Sequence, residues 1–286
     1  VLTYGGHSFT YRFLNDRWRN YSDADSFSSE DTADLTLFQN VRQLDIQKDI
    51  SPFRHLLSLE NTRKATAEAF IRYTRPEHLD PEALIKCYTS WELSKEETLL
   101  LQLKAHHEAD MIGLLHLHSL SAYTQFFRGR FDNVHLCRLE ENLCHLVLLL
   151  ETPVPQRIQL SNALLSLSLE KDTAHLVIPI LSGELKYFLP GPVKDYYYLP
   201  KEDRAIHRSI ACYVDKAYRQ KATAATCYIR QEGLFLPSFD TSLQPAFRKS
   251  FDDKQLYILC DTEKLTSDPA FLRPYISSLI KEVASL

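Results

Sequence analysis

The 286-residue chain is 44% hydrophobic and 24% charged with a formal net charge of −4, a globular composition with room for two domains of roughly 100–200 residues each. No run approaches the ~18 uninterrupted apolar residues of a membrane span, and no basic-then-apolar segment opens the chain, so neither a membrane helix nor a secretory signal is predicted. The slightly acidic balance excludes a globally basic nucleic-acid binder and confines any such contact to local patches.

Val1-Leu-Thr-Tyr4 reads as a buried strand and Gly5-Gly6 as a turn. Phe9, Phe13, Leu14 and Trp18 then recur at helical spacing, predicting a helix over 8–21. Strand, glycine turn and helix in that order suggest half of an α/β unit. Residues 21–34, rich in Ser and Asp, form a predicted loop, and Val41-Arg-Gln-Leu-Asp45 a strand that breaks at Ser51-Pro52. From Leu59 to His118 the pattern is helical, with Pro81 suited to a first turn and Ser94-Lys-Glu-Glu97 spaced as a capping box. Leu136, Leu139, Leu143, Leu146 and Leu150 predict one more helix over 134–150.

After Pro153-Val-Pro155 the pattern changes to short strands around 165–169, 175–181, 185–189, 196–198 and 223–229. Turns are predicted at Lys171-Asp172 and Ser182-Gly183, one helix near 206–214, and a closing amphipathic helix over 271–283. A boundary at 152–157 therefore separates a first domain, 1–152, from a β-rich second domain, 157–286. The six cysteines are dispersed with no C-x-x-C pair, which argues against a zinc site or disulfide framework and for reduced thiols in the cytoplasm.

The run Lys104-Ala-His-His-Glu-Ala-Asp-Met-Ile-Gly-Leu-Leu115 carries the chemistry. His106 and Asp110 are one helical turn apart on one face, where an imidazole and a carboxylate can converge on a metal or an attacking water. His116 and His118, two residues apart, point to different faces and read as structural, and His7 as an exposed loop residue.

Several segments in order carry a resemblance over about residues 1–126. They are Tyr4-Gly-Gly-His-Ser-Phe-Thr10, Leu44-Asp-Ile46 with Ser51-Pro-Phe-Arg-His-Leu-Leu57, Leu84-Ile-Lys-Cys-Tyr88, and His106-His-Glu-Ala-Asp110 with Gly113-Leu-Leu115. Together this region resembles the YprB-type ribonuclease-H-like family of predicted prokaryotic 3′–5′ exonucleases. The resemblance implies an α/β ribonuclease-H-like domain, truncated here at its first strands, followed by a smaller β-rich α+β domain. It also implies Mg²⁺ or Mn²⁺ held by four carboxylates for in-line phosphodiester cleavage, with Asp110 the final metal ligand and His106 positioning the water. Asp45 matches an acidic position of the family and is expected in a supporting role.

The sequence departs from that pattern. Thr10 stands where the second motif ends in a metal-binding Asp, and a hydroxyl cannot supply the missing charge. Gly5 replaces the family's Asn, and the Asp-x-Glu of the first motif is expected upstream of Val1, in keeping with a chain whose only Met is Met111. The expectation is a nuclease-type domain with little or no activity in this chain. Two other readings stay open: a degenerate member that binds nucleic acid or a protein partner without cutting, and an unrelated helical interaction protein.

Between Gly183 and Glu232, nine Lys/Arg against six Asp/Glu are interleaved with Tyr187, Phe188, Tyr196, Tyr197, Tyr198, Tyr213, Tyr218 and Tyr228. Cations with aromatic platforms suit a single-stranded DNA or RNA partner; an aromatic core of a small β-rich domain is the alternative. Oligomeric state is not legible.

Overall fold

The computed structural model describes residues 1–6, 13, 14, 16, 17, 42–76 and 79–285. It divides into two compact units, Val1–Gln125 with Thr152–Ile158, and Phe126–Glu151 with Gln159–Leu286. Phe126–Glu151 thus groups with the second unit, whereas the sequence reading ends its first domain at 152. Of the helix predicted over 8–21, Phe13, Leu14, Asp16 and Arg17 are described, and all four are helical.

Unit 1 opens on two short parallel strands, β1 (Leu2–Thr3) and β2 (Leu44–Asp45), in register Leu2↔Leu44 and Thr3↔Asp45. Helix α1 (Ile46–Ile50) follows directly, because the Asp45 side chain caps it by accepting the Lys48 N–H. Then come α2 (Lys64–Phe70), α3 (Pro81–Ser94) and α4 (Glu97–Leu117). Asp80 caps α3 with Pro81 in its first turn, as predicted.

The capping box does not form. Ser94 ends α3, and Lys95 turns the chain in the left-handed region (φ 55°). Glu96 is the N-cap of α4, without a side-chain bond. Ser94 Oγ instead donates to the Ser90 carbonyl and accepts the Glu96 N–H. The core of the unit gathers Ile46, Ile50, Leu57, Leu103, Ala109, Leu117 and Tyr123. Tyr123 lies on α5 (Ser121–Phe127), which runs out of unit 1. Its hydroxyl accepts the Gln156 N–H at 3.0 Å, tying the returning segment Thr152–Ile158 to this unit.

Unit 2 is β-rich. The predicted helix over 134–150 is a hairpin: β3 (Asn133–Glu140) and β4 (Leu143–Leu149) pair antiparallel across Glu141-Asn142. The leucines fit both periodicities; alternate burial along β4 (Cys144, Leu146 and Leu148 inward) shows that the period of two prevails. The polar Glu140-Glu141-Asn142 in mid-run is where the chain turns. With β5 (Ile158–Ser161), β6 (Ser166–Glu170) and β7 (Thr173–Pro179) the hairpin makes a five-stranded sheet ordered β3-β4-β7-β6-β5.

A small closed barrel follows, ordered β12-β14-β13-β8, from β8 (Leu181–Phe188), β12 (Tyr228–Ser238), β13 (Phe247–Arg248) and β14 (Leu256–Leu259). Leu185, Phe235, Phe247 and Tyr257 fill it. Ser182-Gly183, predicted as a turn, lies inside β8, with Gly183 at φ +145° opposite Gly233. Strands β9 (Tyr196–Leu199), β10 (Arg204–His207) and β11 (Gln220–Lys221) form a third sheet, in which β9 is central. The helix predicted near 206–214 is one turn, α6 (Arg208–Ala211). After α7 (Thr262–Ser267), α8 (Pro269–Ala284) closes the chain, capped by Asp268 and burying Leu272, Tyr275, Ile276, Leu279, Ile280 and Val283. Among the described residues no helix is long and apolar enough to cross a membrane.

Candidate functional site: a carboxylate held by two cations

Helices α2 and α4 of unit 1 bring four charged side chains together. Lys64 and Glu68, one turn apart on α2, face α4 with Arg75 from the loop that follows. Arg75 forks onto Glu68, with Nε 2.9 Å from Oε2 and Nη2 2.7 Å from Oε1, a bidentate pairing that suits a planar guanidinium. Its third nitrogen, Nη1, reaches Asp110 Oδ1 at 2.9 Å. Lys64 Nζ lies 2.6 Å from the same oxygen and 3.2 Å from the Asp110 carbonyl. Burial pushes the Asp110 carboxyl up, but Lys64 and Arg75 outweigh it and hold it below the usual carboxylate range.

Gly113 explains how α4 comes so close. A Cβ there would sit 2.9 Å from Glu68 Oε1 and 3.0 Å from the Tyr73 ring. The Tyr73 hydroxyl donates to the Ala109 carbonyl at 3.3 Å, and its ring stacks on His116 at 4.8 Å.

Asp45 and Tyr4 flank the cluster. The Asp45 carboxylate is buried and accepts the Gly5 N–H at 2.9 Å besides capping α1. Gly5 has φ +72°, where an L side chain is strained, and a Cβ there would also displace Gln47 Oε1, 2.6 Å away. The Tyr4 hydroxyl donates to the Thr62 carbonyl at 2.9 Å. Burial, then the negative charges of Glu68 and Asp45, push its pKa well up.

His106 is buried one turn before Asp110, and its Nδ1 accepts the Leu79 N–H at 3.4 Å. The two residues share a helix, as the spacing predicts, but engage different neighbours: His106 the backbone before α3, Asp110 the two cations. Thr10 and His7 lie outside the described residues.

Residues 1–121 match the family model of the RNase_H superfamily. The match gives this ribonuclease-H-like region a general nuclease or hydrolase lineage. No curated protein matches the chain, and no solved structure does.

As placed, the described side chains of the ribonuclease-H-like region do not fit a divalent cation at Asp110. The Asp110 Oδ1 oxygen is shared by an ammonium and a guanidinium, whose charges oppose a divalent cation beside them. Among the described residues no group of three or more His, Cys, Asp or Glu is arranged to hold a metal. Lys64, Glu68 and Arg75 escaped sequence reading. The i, i+4 spacing of Lys64 and Glu68 was visible, but that both face Asp110 depends on how α2 meets α4.

In unit 2, three of the nine cations between Gly183 and Glu232 lie over rings and three pair with carboxylates. Lys186 lies 4.3 Å from the Tyr228 ring centroid, Lys201 4.5 Å from Tyr218, and Arg219 5.0 Å from Tyr197. Arg204 pairs with Glu202, Arg208 with Asp195, and Arg230 with both Glu184 and Asp203. Tyr198 and Tyr228 both donate to Asp203. Tyr213, 89% exposed, is the most open of these rings.

Proposed function

We propose that the N-terminal unit is a nuclease domain of the YprB type, descended from a metal-dependent 3′–5′ exonuclease, in which phosphodiester hydrolysis is impaired. The observation that carries this reading is the Lys64–Asp110–Arg75 arrangement. Asp110 corresponds to the last metal ligand of the family and His106 to its water-positioning group, yet the Asp110 carboxylate is already neutralised by two side-chain cations. Their charge opposes the entry of Mg²⁺ or Mn²⁺, and Thr10 supplies no carboxylate in compensation. Asp45 supports the fold here, as the cap of α1, so it contributes position and not chemistry.

Digestion of labelled single-stranded DNA and RNA in Mn²⁺ tests the reading. The expected result is no cleavage above background by the chain or by Asp110→Asn; clear cleavage that Asp110→Asn abolishes overturns it.

The second reading is a module that binds single-stranded nucleic acid without cutting. The Lys/Arg excess of residues 183–232 favours it, although cations already cover three of the rings. Free cysteines without a bridge among them support a reducing, cytoplasmic setting for either.

A further inference from the structure

Three of the six cysteines, Cys137, Cys144 and Cys260 of unit 2, lie within electrostatic reach of one another. In the β3–β4 ladder Cys137 pairs with Leu146 and Cys144 with Leu139, which places the two cysteines on one face, a single diagonal apart. Cys144 is fully buried, whereas Cys137 is half-buried on β3, an edge strand of the sheet. Cys260, just after β14, is the third, also half-buried. The buried Tyr275 of α8, whose hydroxyl donates to the Pro237 carbonyl at 3.1 Å, lies within electrostatic reach of all three thiols.

The thiols are not equivalent. The neighbouring Cys144 thiol, against burial, lowers the Cys137 pKa. The same proximity, with burial behind it, pushes Cys144 up. Cys260 is pushed up by burial, then by the charges of Cys137 and Asp261. Cys137, half-buried where Cys144 is fully buried, is the one a small oxidant reaches first, and its lowered pKa favours the thiolate.

We propose that Cys137 and Cys144 are a peroxide-sensitive thiol pair that closes reversibly to a disulfide. The Cys137 thiolate attacks one oxygen of a hydroperoxide; the S–O bond forms, the O–O bond breaks, and the other oxygen leaves as water or an alcohol after taking up a proton. The Cys144 sulfur then displaces hydroxide from the Cys137 sulfenic acid, and its thiol proton leaves with that hydroxide as water. The two thiols lose two electrons in all, and the peroxide gains them. Small-molecule thiols reverse the step by exchange.

Geometry favours a labile link over a structural one. Diagonal positions of an antiparallel pair have Cα atoms ~7–8 Å apart, beyond what a disulfide spans without backbone movement. Edge strand β3 therefore has to shift toward β4, and it already carries a register irregularity between Val134 and Leu136. Cys137 and Cys144 are close in sequence, so the link closes only a short loop and removes little freedom from the unfolded chain.

The test treats the full chain with a few equivalents of hydrogen peroxide, titrates free thiols, and maps peptides without reduction. The expected result is loss of two thiols, a peptide joining Cys137 to Cys144, and full recovery with dithiothreitol. Cys137→Ser should abolish the cross-link, and Cys212→Ser, at the exposed cysteine, should leave it unchanged. Four outcomes overturn the proposal: oxidation that starts at Cys212, sulfinic acid at Cys137 without a cross-link, a dominant link through Cys260, or a bound zinc that shields all three thiols. The wild-type peptide map decides the matter even where a variant misfolds.

Discussion

Lys64 and Arg75 both contact Asp110, yet their removal should cost very different amounts. Arg75 also holds Glu68, a residue only 5% exposed. Arg75→Ala leaves that charge buried without its guanidinium, a loss of about 3–5 kcal/mol for a broken buried pair. Lys64→Ala leaves a partly exposed Asp110 still paired with Arg75 and should cost only about 1 kcal/mol. Urea unfolding of the two variants checks the order; equal losses would remove Glu68 from the explanation. The Asp110 carboxyl is held below its ordinary value, so its contribution is present above the unfolded-state pKa and disappears as pH falls through the folded-state pKa. Stability should therefore drop on acidification below the ordinary carboxylate range, and the drop should be smaller in Asp110→Asn. His106 and Asp110 were legible because i, i+4 spacing is local; their cationic and backbone partners were not, because those belong to other elements.

At the scale of elements, the β3–β4 hairpin shows where a leucine-rich run misleads. Leu139, Leu143, Leu146 and Leu150 satisfy a helix, while the alternate burial of Cys144, Leu146 and Leu148 satisfies a strand. Residues 140–142 decide between them, and there the chain accepts a non-glycine residue, Glu141, at φ 52°. A left-handed conformation costs an L-residue about 1–2 kcal/mol, against about 0.5–1 kcal/mol for the extra freedom glycine brings to the unfolded chain. Glu141→Gly should thus raise stability by roughly 0.5–1 kcal/mol, read as a higher denaturation midpoint; a lower midpoint would mean that the Glu141 side chain contributes to the fold. The capping box failed for a related reason. Ser94-Lys-Glu-Glu97 has the right letters, but Lys95 in the left-handed region ends α3 and moves the N-cap of α4 to Glu96. The start of α3 was read correctly from Pro81, a signal that acts on the backbone locally, although its Asp80 cap was not.

For the whole molecule, the lineage of the first unit was legible from motif order, and the β-rich character of the second from alternation after Pro155. The patch of rings and cations in residues 183–232 was legible only as a composition. In the fold, three of those rings carry a cation from the same chain, so stacking of bases is already in competition. Binding of single-stranded oligonucleotides by the full chain should accordingly be electrostatic, falling steeply as salt rises. Tyr218→Ala should leave it within about twofold, since a platform that stacks a base is worth ~1–3 kcal/mol. Fluorescence anisotropy across a KCl series measures both; salt-independent binding, or a large loss in Tyr218→Ala, would favour a stacking site.

The chain visits unit 2 for Phe126–Glu151, returns to unit 1 for Thr152–Ile158, and only then completes the second unit. That itinerary bears on heredity. One crossover in the gene at the position of residue 126 leaves the Tyr123 hydroxyl without Gln156, and one at residue 157 strips β3 and β4 from a sheet in which β4 separates β3 from β7. No single breakpoint hands either unit on whole. A ribonuclease-H-like half and a β-rich half joined in this way are inherited, duplicated and lost as one, whatever separate histories their folds had before.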